Sequence, residues 1–161
     1  MHGEQSRFYE LAQYHGESHW TENDYLFICG DWGFLFFDDR SENAFLDDLS
    51  KRPYTICFVD GNHENFHAIF RYPQELWHGG KIHRIRKNIV HLMRGQIYDI
   101  QGKTFFTMGG AYSIDRYRRK LNESYWAEEL PNNEEYKEAA AMRETSLSYA
   151  RHIFFTLETT A

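Results

Sequence analysis

Two short polar motifs in this chain combine residue types that bind metal ions. Gly30-Asp31-Trp32-Gly33 supplies a carboxylate, and Gly61-Asn62-His63-Glu64 supplies an amide, an imidazole and a carboxylate. Each motif follows a short apolar run, and the two lie about 30 residues apart, as in a strand, helix, strand unit. Such side chains are ligands of hard and borderline divalent cations. The pair therefore predicts a metal site, in which the imidazole of His63 can donate a proton near neutral pH.

The apolar runs before the motifs predict the elements that position them. Residues 24–29 and 54–59 are short, largely apolar runs that end at turn residues, as buried strands do. Between them, residues 41–49 have apolar side chains at helical spacing, with Ser41 as the predicted N-cap. Because polar groups converge at the carboxyl ends of strands in an open α/β sheet, we expect the two motifs to lie together.

The rest of the chain predicts further strands and one long helix. Residues 89–92, 96–100 and 103–108 are short strand candidates, and Gln101-Gly102 is a hairpin-like turn between the last two. Pro131 and Asn132 open a predicted helix from residue 134 to about residue 151, and residues 153–156 are a candidate final strand. Apolar runs that alternate with helical segments indicate an α/β protein.

Together the motifs resemble the signature of the calcineurin-like metallophosphoesterase family. That signature runs Asp-x-His, Gly-Asp, Gly-Asn-His-Asp/Glu, a lone His and Gly-His-x-His. The resemblance extends from His2 to about Pro131 and more faintly to the end, and the loop 109–113 is similar to one in bacterial and phage members. It implies a single domain over residues 1–161, built as a mixed β-sheet sandwich flanked by helices.

The resemblance also implies roles for four residues. Asp31 would bridge two metal ions, Asn62 would bind the second ion, His2 would bind the first, and His63 would protonate the leaving alkoxide. The implied cofactors are two divalent cations (Mn, Fe or Zn), which activate a water molecule for attack. The implied substrates are phosphate mono- or diesters, namely phosphorylated small molecules, nucleotides or phosphoproteins.

The chain departs from the family signature at both ends. It begins at Met1 without the strand and Asp-x expected before His2, Leu157 stands where a ligand His is expected, and no Gly-His-x-His follows. These departures predict a domain truncated at both ends, with weak metal binding and little or no turnover. The alternatives are a degenerate, non-catalytic member that binds a metal or a phosphorylated partner, and an α/β binding module with chance motifs.

The candidate residues also have structural interpretations. Asp31 can cap a turn, Asn62 and His63 can belong to an ordinary turn, and His2 can lie in a frayed terminus. Glu64 is interpreted as a residue of a first helical turn rather than a ligand.

Other polar and aromatic groups are interpreted mainly as structural. His15 and His19 are interpreted as surface residues. The basic run is either a solvated face or a phosphate grip, with the solvated face favoured: Arg116, Arg118, Arg119 and Lys120. At least half of the following aromatic residues are assigned to the core: Trp32, Phe34, Phe36 and Phe37.

Composition narrows the class of protein further. The 161 residues carry a formal net charge of −6 with a pI near 5.8, which argues against a nucleic-acid partner. No run approaches the roughly 18 apolar residues of a membrane span, so we expect no membrane partner and a cytoplasmic location. Cys29 and Cys57 lie in apolar runs and are predicted to be buried thiols.

Overall fold

The structure, a computed structural model, describes residues 1–146 and 152–155. The helices are α1 (Gln5–Tyr14), α2 (Arg40–Leu49), α3 (Phe66–Ile69) and α4 (Asn133–Ser146). The strands are β1 (Tyr25–Cys29), β2 (Thr55–Val59), β3 (Gln74–Trp77), β4 (Gly80–Arg86), β5 (Ile89–Leu92), β6 (Gln96–Ile100), β7 (Lys103–Thr107) and β8 (His152–Phe155).

The strands form two mixed sheets. The five-stranded sheet has the order β1-β2-β5-β4-β3. In it, β2 is parallel to β1 and β5, whereas β4 is antiparallel to β5 and β3. The other sheet has the order β6-β7-β8, with β7 antiparallel to β6 and parallel to β8. Because β1 and β2 are parallel neighbours, their carboxyl ends, which carry the two motifs, lie side by side.

Hydrophobic clusters lie on both faces of the five-stranded sheet. Successive residues of β2 alternate between them: Ile56 and Phe58 belong to one cluster, Cys57 and Val59 to the other. The first cluster also contains side chains of α1 and α2, namely Phe8, Ala12, Phe45, Leu46 and Leu49. The second contains side chains of the other sheet, namely Tyr98, Ile100 and Phe105. Helices therefore cover one face and a second sheet covers the other, which confirms the predicted sandwich flanked by helices.

The predicted strand, helix, strand unit is confirmed, but its helix cap is not the predicted one. β1 and β2 each begin one residue later than predicted, and α2 begins at Arg40. The cap is Asp39, whose carboxylate accepts a hydrogen bond from the backbone N–H of Glu42 at 2.8 Å. The prediction of Ser41 as the cap is wrong, because Ser41 already lies in the first turn of the helix.

The later elements follow the prediction closely. β5 and β6 have the predicted bounds, and β7 ends one residue early. The turn between β6 and β7 lies at Gln101 and Gly102, both with positive φ, 54° and 71°. β8 and α4 each begin one residue before their predicted starts, while residues 151 and 156 lie outside the described residues. α1, β3 and β4 have no counterpart among the predicted elements.

The cysteines and the helices bear on two further expectations. Cys57 is buried as predicted, whereas Cys29 is only half-buried.

Among the described residues, no helix is both long enough and apolar enough to cross a membrane.

A buried chain of hydrogen bonds joins β4 and β5 to the end of β2. His83 Nδ1 lies 3.1 Å from His91 Nδ1, and His91 Nε2 lies 3.0 Å from Asp60 Oδ1. Arg94 Nε donates to Asp60 Oδ2 at 2.8 Å. Burial opposes the charge on Asp60, but the bonds from His91 and Arg94 hold the pKa of this carboxyl below its usual value. Burial and the neighbouring His91 lower the pKa of His83 to about 4.

The low pKa of His83 predicts a loss of stability in acid. In the unfolded chain this imidazole protonates near its ordinary pKa of 6.5, whereas the folded protein holds it neutral down to about pH 4. Its contribution to the free energy of unfolding is therefore intact above pH 6.5 and is lost as the pH falls toward 4. When the pH falls from 7.5 to 5.0, we expect the free energy of unfolding to drop by about 1–2 kcal/mol less in His83→Gln than in the original protein, as measured by urea denaturation.

The control is His19→Gln, at an exposed histidine. It should lose as much stability as the original protein over the same pH interval. Parallel losses in His83→Gln and the original protein would contradict the assignment of this acid sensitivity to His83.

Candidate metal centre

The turn that follows β1 fixes the carboxylate of Asp31 at the end of the neighbouring strand. Asp31 has φ +48°, a conformation uncommon for residues other than glycine. Its Oδ1 accepts hydrogen bonds from the backbone N–H groups of Asn62 and His63, at 3.1 and 3.2 Å. The side chain thus ties the ends of β1 and β2 together. No helix begins directly after Asp31, so it does not cap a helix, but its carboxylate does cap the turn of the second motif by accepting these two hydrogen bonds.

Close approach of the two strand ends requires a glycine at position 61. A Cβ atom on Gly61 would overlap the Asp31 carboxylate and lie 2.6 Å from the backbone nitrogen of Asp31. The glycine of the second motif is therefore needed so that the backbone can pass beside the carboxylate. This requirement explains the glycine, though not the asparagine, of the second motif.

His2 is held against the same turn. Its backbone N–H donates to the carbonyl of Asp31 at 2.8 Å, and that of Gly3 donates to the carbonyl of Trp32 at 3.2 Å. The imidazole Nε2 lies 3.6 Å from Asp31 Oδ2, and the ring packs edge-on against His63 with centroids 4.6 Å apart. These contacts argue against the frayed-terminus interpretation and place His2 beside the free oxygen of Asp31.

A buried network orients the amide of Asn62. Asn62 Nδ2 donates to Ser113 Oγ at 3.0 Å, and Ser113 Oγ donates to Glu129 Oε2 at 2.8 Å. Because the single hydroxyl proton of Ser113 is used on the carboxylate, Ser113 can only accept from Asn62. The amide nitrogen therefore faces Ser113, which leaves the amide oxygen to act as a ligand.

Glu129 is the anchor of this network, although no sequence motif marks it. It is fully buried and accepts hydrogen bonds from Ser113 N at 2.8 Å and Arg116 Nε at 2.7 Å. Arg116 thus has a buried partner. Arg119 is fixed by Asp115 Oδ1 at 2.7 Å and by the carbonyl of Ser124 at 3.1 Å. The favoured interpretation of the basic run as a solvated face is therefore wrong for these two arginines.

Glu64 has a structural role that differs from the predicted one. It is fully buried and precedes α3, so it is not a first-turn helix residue. Its two oxygens accept hydrogen bonds from the backbone N–H groups of Trp32 and Gly33, at 2.6 and 3.2 Å. Burial raises the pKa of Glu64 well above its usual value, and the two donors offset this only in part. Asp31 and Glu64 therefore bind the two strand-end turns to each other in both directions.

The remaining candidates divide between the site and the rest of the molecule. His63 is half-buried; burial lowers its pKa, Asp31 partly restores it, and His2 and Arg119 lower it further. His15 and His19 are exposed, as predicted. Two of the four aromatic residues of the first motif region are core, also as predicted, since Trp32 and Phe34 are buried whereas Phe36 is half-buried and Phe37 is exposed.

The donor atoms at this site fit a cation in part. Ligand distances of about 2.0–2.2 Å place two ligands of one ion about 3–4 Å apart, and the 3.6 Å between His2 Nε2 and Asp31 Oδ2 lies in this range. The Asn62 oxygen is the third candidate donor. Within residues 1–146 and 152–155, however, no group of three or more His, Cys, Asp or Glu side chains could hold a metal ion. The set offers fewer ligands than a pair of ions requires.

Comparison with known proteins identifies the family. The sequence profile of the calcineurin-like phosphoesterases matches residues 1–154. The chain therefore belongs to the calcineurin-like phosphoesterase family, and its general class is that of metal-dependent phosphoesterases, which are hydrolases. Searches of curated proteins and of solved structures found no match.

The hydrogen bonds of Glu64 predict a measurable stability cost on substitution. In Glu64→Gln the amide NH₂ replaces one acceptor oxygen and faces a buried N–H of Trp32 or Gly33. We expect a loss of about 1–3 kcal/mol in the free energy of unfolding, measured by urea denaturation. The matched change Glu10→Gln, at an exposed position, should have almost no effect. Equal stabilities of the two variants would contradict the proposed role of Glu64.

Proposed function

We propose that this chain is a metal-dependent phosphoesterase that hydrolyses phosphate mono- or diesters, with His2, Asp31 and Asn62 as its metal ligands. The observation that carries the proposal is the position of Asp31. One of its oxygens is saturated by backbone donors of the second motif, and the other lies 3.6 Å from the imidazole of His2. A carboxylate oxygen held beside an imidazole and a preoriented amide is suited to a divalent cation.

The protein side chains divide the chemical tasks among them. Bound divalent cations stabilise charge on a phosphoryl group and make water more acidic. His63 lies beside His2 at the end of β2 and, in its protonated form, can give a proton to the departing oxygen. Arg119 lines the same cavity as His2 and His63 and supplies a fixed positive charge for a phosphate oxygen.

The proposal includes a second ion, which Asp31 would hold together with the first, and this part of it is supported by membership of the family. Mn, Fe and Zn all accept imidazole, carboxylate and amide ligands. Because Asp31 is the only carboxylate in the ligand set, we expect this chain to bind metal weakly and to turn over slowly. The single-domain organisation, the bacterial or phage type, the truncation and the cytoplasmic location stay predictions.

A degenerate, non-catalytic member of the fold is the second candidate function. It is favoured by one observation, namely that the described residues contain no cluster of three or more His, Cys, Asp or Glu side chains that could hold a metal. Such a protein would bind a cation or a phosphate group at Asp31 and His2 without turnover. Measurements of metal binding and of hydrolysis separate the two candidates.

The first test replaces the central carboxylate. Asp31→Asn keeps the shape but loses the negative charge between His2 and Asn62, so we expect Mn²⁺ affinity to fall at least about 100-fold by titration calorimetry. Hydrolysis of p-nitrophenyl phosphate should disappear in parallel. The exposed change Asp99→Asn is the control and should alter neither property.

Each result of this test has a defined meaning. Mn²⁺ binding without hydrolysis in the original protein would favour the non-catalytic candidate. Hydrolysis that survives in Asp31→Asn would contradict the assignment of the site.

The second test concerns the orientation of Asn62. Ser113→Ala removes the acceptor that faces the amide nitrogen, so the amide can rotate and present that nitrogen to the metal. We expect Mn²⁺ affinity to fall about tenfold by calorimetry, in the range found for groups that orient metal ligands. Ser18→Ala, at an exposed position, should bind Mn²⁺ as the original protein does. Unchanged affinity in Ser113→Ala would show that the network does not position Asn62.

A further inference from the structure

A cavity of about 380 Å³ opens beside the candidate metal centre. Its lining includes His2, His63 and Arg119 of the centre, together with Phe36, Phe37 and Glu42. We call this space the side pocket. Because it shares its walls with His2 and His63, a phosphate group placed at the metal centre would have the rest of its molecule in the side pocket.

Contacts between neighbouring side chains order the pocket from the centre outward. The Phe36 ring lies 6.3 Å from the His63 ring, and the Phe37 ring lies 5.2 Å from the Phe36 ring. The backbone N–H of Phe37 then donates to Glu42 Oε1 at 3.1 Å. Outward from the proton donor His63, the pocket is therefore lined first by the rings of Phe36 and Phe37 and then by the carboxylate of Glu42.

The ring of Phe37, the outer of the two aromatic rings, is exposed, but its backbone is fixed. The Phe37 side chain is 74% exposed and lines the side pocket, so its ring is accessible to a ligand there. Its backbone is nevertheless fixed, because Glu42 accepts hydrogen bonds from the N–H groups of both Phe37 and Asp38, at 3.1 and 2.6 Å. An exposed aromatic ring on a fixed backbone is suited to stacking against a flat ligand group.

Charge is distributed unevenly around the pocket. Arg119 supplies the permanent positive charge among the lining side chains, and its charge acts on His63. Asp39 and Glu42 add two carboxylates to the lining, close to Phe37 in the chain. A phosphate group is attracted to Arg119, whereas a second anionic group bound over Phe37 would meet these carboxylates and be repelled.

We propose that the side pocket binds the leaving group of the substrate and selects phosphate esters of flat, uncharged groups over those of small aliphatic or anionic groups. This inference rests on the proposed phosphoesterase function and names its substrate class. In the reaction, water adds to phosphorus, the bond from phosphorus to the ester oxygen breaks, and that oxygen takes a proton from His63. The products are phosphate and a flat, uncharged alcohol or phenol, which leaves through the side pocket.

The test measures equilibrium binding, because binding does not depend on turnover or on the reactivity of a leaving group. In the presence of Mn²⁺, calorimetry compares benzylphosphonate, methylphosphonate and 4-(phosphonomethyl)benzoate, which adds one carboxylate to the same ring. We expect benzylphosphonate to bind about tenfold more tightly than methylphosphonate and about fivefold more tightly than the carboxylated compound.

Variants of Phe37 connect this preference to the pocket. Phe37→Ala should lower benzylphosphonate affinity about fivefold and leave methylphosphonate affinity unchanged, whereas Phe37→Tyr keeps the ring and should keep the preference. Tyr14→Ala removes an even more exposed aromatic residue elsewhere, at 85% exposure, and this variant should bind all three compounds like the original protein.

The results separate this inference from the proposed function. Equal affinities for benzylphosphonate and methylphosphonate, no binding of either, or a preference that survives in Phe37→Ala would overturn the side-pocket proposal. A Phe37-dependent preference in a protein that hydrolyses no phosphate ester would support the pocket and contradict the enzymatic function. Hydrolysis of p-nitrophenyl phosphate without any preference for the aromatic phosphonate would support the function and reject the pocket.

Discussion

The hydrogen bonds from the backbone of Asn62 and His63 to one oxygen of Asp31 hold the candidate site together. They connect the ends of two parallel strands, and they occupy one oxygen of the carboxylate while the other faces His2. The Asp31 backbone at φ +48° and the close passage of Gly61 are conditions of this contact. Glu64 adds a second connection between the same two turns, because its buried carboxyl group accepts hydrogen bonds from the N–H groups of Trp32 and Gly33. Each turn is thus fixed by a carboxyl group that the other motif supplies.

Further groups are placed around this contact by the rest of the chain. The N-terminal residues bond to the Asp31 and Trp32 carbonyls, and α1 packs Phe8 and Ala12 into the core behind them. From the other side, the segment after β7 brings Ser113 and Glu129 under Asn62. The candidate ligands therefore come from the N-terminus and from the two strand ends, with orientation supplied by a loop far along the chain. Preorganisation of this kind reduces the reorganisation that a bound cation would require.

Much of the fold and the centre of the site can be predicted from the sequence. The runs before Asp31 and Asn62 are apolar because both faces of their sheet are covered, even though β1 lies at the edge of the sheet and is mostly half-buried. Strands, motifs and their proximity are therefore predictable. α1 is different, because it buries only Phe8 and Ala12 and has no side-chain cap, so its pattern is weak. β3 and β4 are joined through His78 and Gly79; the glycine pair 79–80 marks this turn, but the flanking strands, QELW and GKIHRIR, are too polar to be predicted as strands. The roles of Glu64 and Glu129 depend on partners that are 31 and 16 residues away, and no local pattern reveals them.

The central claim is that Asp31, His2 and Asn62 form a metal-binding site, and anomalous X-ray diffraction tests it directly. Crystals of the protein grown with Mn²⁺ and measured above the manganese absorption edge would locate each ion without reference to activity. The account predicts an anomalous peak within ligand distance of Asp31 Oδ2, with His2 Nε2 and the Asn62 oxygen among its neighbours. Anomalous peaks only at other positions, or Asp31 bonded solely to the backbone with no ion beside it at saturating Mn²⁺, would contradict the claim.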